Sequence, residues 1–112
     1  MGSHKSITSR YSEQLTPPTP PPVPAYHVEG DPVPDFDRNF YTHILHDGKM
    51  SYANTGLTFF IAWVTIANGW IISEVLGEIT GPFWDRVDPD ILGIYNPQNL
   101  AENNILVASG PA

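Results

Sequence analysis

The 112 residues contain no cysteine. Disulfide frameworks, thiolate nucleophiles and cysteine metal sites are therefore excluded. Positive charge is scarce. Five Lys and Arg stand against twelve Asp and Glu, giving a formal charge of −7 and a pI near 4.7. Nucleic acid is not an expected partner, because phosphate binding requires a basic surface. Charge of either sign is missing from Met50 through Ser73, and proline is missing between Asp35 and Gly81. No apolar run follows the opening "MGSHKSITSR", so that stretch does not read as a cleaved secretory signal.

Catalytic and metal signatures are missing too. The chain has no phosphate loop and no Gly-x-Ser-x-Gly elbow. "DRVDPD" (Asp85, Asp88, Asp90) lacks the spacing and glycine of a calcium loop. His43 and His46 lie three apart, but zinc needs three or four ligands, and only Asp47 and the distant His27 could add to them. No metal site, no resident cofactor and no enzymatic activity are expected.

What is present divides the chain in four. Eight of the twelve prolines fall at or before Pro34, so residues 1–34 read as an extended proline-rich arm. Its "TPPTPPPVP" (Thr16 to Pro24) favours polyproline II and spans roughly 28 Å at about 3.1 Å per residue. In residues 35–50, Phe36, Phe40 and Ile44 recur every four positions with Tyr41 and Leu45 beside them. That spacing predicts a short amphipathic helix, capped by Asp35 or Asp37 and stopped by Asp47-Gly48. Residues 79–112 read as an acidic, mostly irregular tail with at most a short helix near Pro97 to Asn104.

The stretch that decides the fold class is "TGLTFFIAWVTIANGWIISEVLG", Thr55 to Gly77. Leu57 to Leu76 would make a helix of about 30 Å, the thickness of a bilayer's hydrocarbon. Such a helix must be surrounded on every side, and the rest of the chain is too poor in apolar residues to build that shell. The expected fold class is therefore all-α: a single transmembrane helix over 51–78, a juxtamembrane helix and irregular arms. Arg38 and Lys49 before the span against Arg86 after it place the N-terminus on the cytoplasmic, stromal or matrix side. Tyr52 and Trp84 would serve as interfacial aromatics.

On a helical wheel Thr58, Ala62, Thr65, Gly69 and Ser73 form one strip of small residues, with Asn68 at its flank. Small strips let helices pack closely in lipid, so this strip is the expected contact with other integral membrane subunits. Phe59, Trp63 and Trp70 gather on the opposite side. They are candidates for contact with lipid, or with a pigment, carotenoid or quinone held by partner subunits. The functional expectation is a non-catalytic, single-pass accessory subunit of a membrane complex, most readily a photosynthetic or respiratory one. The alternative is a self-associating membrane adaptor whose proline-rich arm recruits a soluble partner.

Overall fold

A computed structural model describes residues 20–112. Part of the proline-rich segment, Thr16 to Thr19, lies outside the described residues. The described residues form eight strands: β1 (Tyr26–Gly30), β2 (Asn39–His46), β3 (Lys49–Asn54), β4 (Phe60–Val64), β5 (Gly69–Ser73), β6 (Phe83–Arg86), β7 (Gly93–Gln98) and β8 (Ile105–Ser109). Each strand pairs with the next in antiparallel fashion, and β8 pairs with β1 from Tyr26–Ser109 to Gly30–Ile105. The sheet thus closes into an up-and-down barrel.

This overturns the all-α expectation. The only helical turn among the described residues is a short 3-10 turn, Thr65–Ala67, and none of their helices is long and apolar enough to cross a membrane. The single-pass placement and the orientation drawn from Arg38, Lys49 and Arg86 go with it. Tyr52 and Trp84 are not interfacial aromatics; Trp84 is fully buried in the barrel core and Tyr52 packs against that core. The amphipathic helix is also absent. Phe36 sits in the β1–β2 loop, Phe40 points into the core, and Ile44 lies at a β-bulge on β2. The recurrence of four does not mark one face: it spans a loop, a strand and a bulge, and Ile44 is exposed where Phe40 is buried.

Two strands replace the expected span. β4 and β5 pair from Phe60–Ser73 to Val64–Gly69. Ile61, Trp70 and Ile72 face the interior, joined there by Phe59 and the flank of Trp63. The alternate positions Ala62, Val64, Ile71 and Ser73 point the other way and are buried as well. With both faces covered, the polar alternation that marks a half-exposed strand disappears, and the sequence reads as a continuous apolar run. The expected irregular tail likewise supplies β6, β7 and β8.

The interior is filled rather than hollow. Val28, Phe40, Ile61, Trp70, Ile72, Trp84, Tyr95, Ile105 and Val107 form one cluster, completed by Phe36, Phe59 and Ile91 from loops. Side chains of this size are sufficient to fill an eight-stranded barrel. Each fully buried large apolar side chain stabilises the fold by about 1.5–3 kcal/mol.

Polar side chains set the turns. Asp47 (φ 50°) and Gly48 (φ 81°) form the two-residue β2–β3 turn, both in the left-handed region that such hairpins require. Asn68 (φ 54°) ends the β4–β5 turn in the same region. Gly69 follows it because its backbone lies against the Arg86 carbonyl, where any Cβ would collide. Asn54 is buried, and its Oδ1 accepts from the Thr58 and Phe59 amides, both at 2.9 Å, and from Thr58 Oγ1 at 3.1 Å. Its Nδ2 donates to the Asp37 carbonyl at 3.3 Å.

Candidate functional site

The barrel has two ends, and both are closed from within the chain. At one end Phe36 stacks on Phe59 with ring centroids 4.6 Å apart and meets Phe40 and Trp84 edge-on. The neighbouring loops are tied to it: Trp84 Nε1 donates to the Asn103 carbonyl at 2.9 Å, and Asn103 Nδ2 donates to the Asp31 carbonyl at 2.7 Å. At the other end the β6–β7 loop folds over the barrel with Ile91 buried beneath it. Trp70 Nε1 donates to the Pro89 carbonyl at 3.0 Å, the Tyr95 hydroxyl to the Ile91 carbonyl at 2.7 Å, and Arg86 Nε to the Asp90 carbonyl at 2.9 Å. Burial pushes the Tyr95 hydroxyl far above its ordinary pKa, so it acts as a neutral donor. No pocket opens among the described residues.

The residues of the expected small strip are not brought together. Thr58 is bonded to Asn54 in the β3–β4 loop. Ala62 and Ser73 lie on the outward side of β4 and β5, where the Ser73 hydroxyl donates to the Val75 carbonyl at 2.8 Å. Thr65 and Asn68 belong to the β4–β5 turn, and Gly69 packs against β6. Phe59, Trp63 and Trp70 do share a side, but it is the barrel interior. There Trp63 meets Trp70 edge-on at 5.8 Å, and the Lys49 ammonium sits 5.2 Å over the Trp63 ring.

The histidines are also apart. His43 packs on the Phe60 ring, while His46 lies against the Gly77 backbone. Among the described residues no three His, Cys, Asp or Glu side chains gather as metal ligands. His27 sits on the closing seam, where its Nδ1 lies 3.0 Å from the Gly110 carbonyl and its Nε2 2.8 Å from the Glu29 carboxylate. The Glu29 hydrogen bond, reinforced by the Gly110 carbonyl, raises the His27 pKa. Asp47 accepts the Thr65 amide at 2.9 Å, and that bond lowers its pKa.

One part of the barrel wall is incomplete. β1 pairs with β2 only through Tyr26–Phe40 and His27–Asn39, yet β2 continues to His46. The Ala25 amide makes the last bond on this side, to the Phe40 carbonyl at 2.9 Å. Before Ala25 the chain reads Pro20-Pro21-Pro22-Val23-Pro24, and proline has no N–H to extend the ladder. Pro20 through Val23 are exposed, and no backbone hydrogen bond joins them to β2. Among the described residues, the β1-facing edge of Tyr41–His46 therefore has no strand partner.

That edge is uncharged from Asn39 to His46 and carries two exposed apolar side chains, Ile44 (49%) and Leu45 (68%). Its backbone is held in place from behind. One extra residue bulges β2 between Thr42 and Leu45, and the buried Ser51 hydroxyl serves the bulge, donating to the Ile44 carbonyl at 2.7 Å and accepting its amide at 3.3 Å. Sequence reasoning missed β2, although Asp47-Gly48 between two apolar stretches is a hairpin signal that could have located the strand, if not its unpaired side.

No family model matches the chain, and neither a curated protein nor a solved structure was found to match it.

Proposed function

We propose that this protein is a non-catalytic assembly module, an accessory chain that holds a larger multi-chain complex together. The observation that carries this reading is the use of the chain's own polar chemistry. Trp70, Tyr95, Arg86, Asn54, Asn103 and Ser51 are all engaged in closing the barrel or its turns. A filled, doubly plugged barrel presents surfaces rather than a cleft, and surfaces serve binding between chains. The accessory role expected from the sequence is kept, without the helix that was to anchor it.

The proline-rich arm is the tether in this reading. Its exposed stretch, Pro20 to Val23, is stiff and loses little entropy on docking. The test is native gel filtration of extracts from the cells that encode the chain. The full chain is expected in a fraction much heavier than its own 12.4 kDa. A full-length variant with Pro20, Pro21, Pro22 and Pro24 replaced by Ser or Gly is expected to leave that fraction while its barrel stays folded. Elution of the wild-type chain at 12.4 kDa or at its dimer would remove the reading.

A further inference from the structure

We propose that the Asp31–Pro32 bond is a self-cleavage site, at which the Asp31 carboxyl cuts its own chain just after β1 in mild acid. The inference goes beyond the assembly reading and does not depend on it.

An aspartyl carboxyl lies within reach of its own main-chain carbonyl carbon, so attack there proceeds at a high effective concentration. A following proline is a good leaving group, because its tertiary amide nitrogen is more basic than a secondary one. Two bonds in the chain have this pairing, Asp31–Pro32 and Asp88–Pro89. The fold treats them differently.

At the first bond the Asp31 carbonyl already accepts a hydrogen bond from Asn103 Nδ2 at 2.7 Å. That donor faces the oxygen on which negative charge gathers as the carbonyl carbon becomes tetrahedral, the arrangement that stabilises such intermediates. Asn103 is itself held, since its carbonyl accepts from Trp84 Nε1 at 2.9 Å. The backbone is gripped on both sides of the bond. Arg38 Nη1 donates to the Gly30 carbonyl at 2.8 Å, the Glu102 amide to the Val33 carbonyl at 2.8 Å, and the Val33 amide to the Glu102 carbonyl at 3.3 Å. Pro32 is fully buried between these grips. Asp31 is exposed, and among the described residues no ion pair engages its carboxyl.

Asp88 is arranged the other way. Its Oδ1 accepts the Asp90 amide at 2.8 Å and lies 3.9 Å from Arg86 Nη2, so the attacking group is occupied. Among the described residues no backbone donor meets the Asp88 carbonyl, and Pro89 is exposed.

The step consumes one water. One oxygen of the neutral Asp31 carboxyl forms a C–O bond to the Asp31 carbonyl carbon, and the C–N bond to Pro32 breaks. The carboxyl proton leaves on the Pro32 nitrogen, which becomes a secondary amine. Water opens the cyclic anhydride to two carboxyls, one on the Asp31 side chain and one at the new chain end. Acid is needed because only the protonated carboxyl carries that proton. The charged groups around it are Glu29 on β1, Asp35, Asp37 and Arg38 on the β1–β2 loop, and Glu102 on the β7–β8 loop. After the cut β1 remains paired with β8 from Tyr26–Ser109 to Gly30–Ile105, so residues 1–31 stay in the barrel until that ladder opens.

The test is incubation of the full chain at about pH 4–5, near the carboxyl range, and at about pH 7. Mass spectrometry in denaturant reads the cut, and the near-ultraviolet spectrum of the same samples reads folding. In acid, fragments 1–31 and 32–112 are expected, together heavier than the chain by one water, with Asp88–Pro89 intact. At about pH 7 the chain is expected to stay whole over the same time. In urea at the acid pH the cut is expected to slow at least about tenfold and the two bonds to become alike. Asn103→Ala is expected to slow the cut roughly 10–100-fold in the folded chain, and Asp31→Ala to abolish it. A chain that stays whole wherever its spectrum is native overturns the proposal. So do equal cuts at the two bonds in the folded chain, a cut as fast in urea as in the barrel, and a folded Asn103→Ala chain that cuts at the wild-type rate. An Asn103→Ala chain that fails to fold is expected to cut at the urea rate, and the folded wild-type rate in that chain overturns the proposal as well.

Discussion

Where β1 hands over to β2, the barrel is stopped by rings: Phe36 flat on Phe59 and edge-on to Phe40 and Trp84. Where β6 hands over to β7, it is stopped by a loop, Val87-Asp88-Pro89-Asp90-Ile91-Leu92, held by donors from Arg86, Trp70 and Tyr95. That loop also folds on itself, with the Asp90 amide bonded to Asp88 Oδ1 and the Leu92 amide to Asp90 Oδ1. The first closure draws on burial, which is lost only when the barrel opens as a whole. The second buries only Ile91 from its loop and otherwise draws on individual hydrogen bonds, each worth about 0.5–1.5 kcal/mol net. Such a lid can lift while the barrel stays shut. One end thus sets global stability and the other sets local opening.

The largest break in that comparison is Trp84→Ala. It removes a fully buried ring from the plug together with the bond to the Asn103 carbonyl. A loss of about 3–5 kcal/mol is expected, read as a lower urea midpoint in a single cooperative transition. Next comes Asn54→Ala at the same end. The side chain is buried and its Oδ1 takes three donors, so about 1–3 kcal/mol should go with it. Tyr95→Phe tests the other end and should do less, about 1 kcal/mol globally. Its signature is faster hydrogen exchange confined to residues 87–92. Equal exchange across the whole barrel in that variant would show that the two ends open together and would erase the distinction.

Little of the fold was legible in the sequence as it was read, and the reasons are physical. Thr55 to Ser73 lacks charge because β4 and β5 are buried on both sides, with Ala62 and Ile71 outward and Ile61 and Ile72 inward. Composition cannot separate that state from a helix in lipid, but turn chemistry can. Asn68-Gly69 interrupts the run at its middle, and Asp47-Gly48 ends β2, both being dipeptides suited to left-handed turn positions. The Phe, Trp, Ile, Val and Thr content of the stretch also favours strands over helix. The helical wheel placed Phe59, Trp63 and Trp70 together, and they are together, because positions 59, 61, 63 and 70, 72 face one interior across a hairpin. The wheel's strip of Thr58, Ala62, Thr65, Gly69 and Ser73 had no such second basis, and the turn scatters it. The open β2 edge could not be read at all, since it depends on where β1 stops against β2, a matter of register.

The smallest expected effect concerns neither plug but the seam between them, where β8 closes on β1. His27 pairs across to Ala108, its Nδ1 faces the Gly110 carbonyl, and its Nε2 faces Glu29. Both ring nitrogens thus meet oxygen acceptors, an arrangement that only the doubly protonated imidazolium satisfies completely. Its pKa in the folded barrel accordingly lies above 6.5, the value for the free side chain. A raised folded pKa means that the native state holds the proton more tightly than the unfolded chain does. The stabilisation is therefore complete below about pH 6.5 and fades as pH rises through the folded pKa. Urea midpoints measured between about pH 6 and pH 8.5 should fall slightly with rising pH, above the range where the carboxylates titrate. His27→Gln, which keeps a polar side chain but not the titration, should flatten the slope. A wild-type midpoint that rises across this window would show that the seam is closed by the backbone ladder alone, with the imidazole neutral.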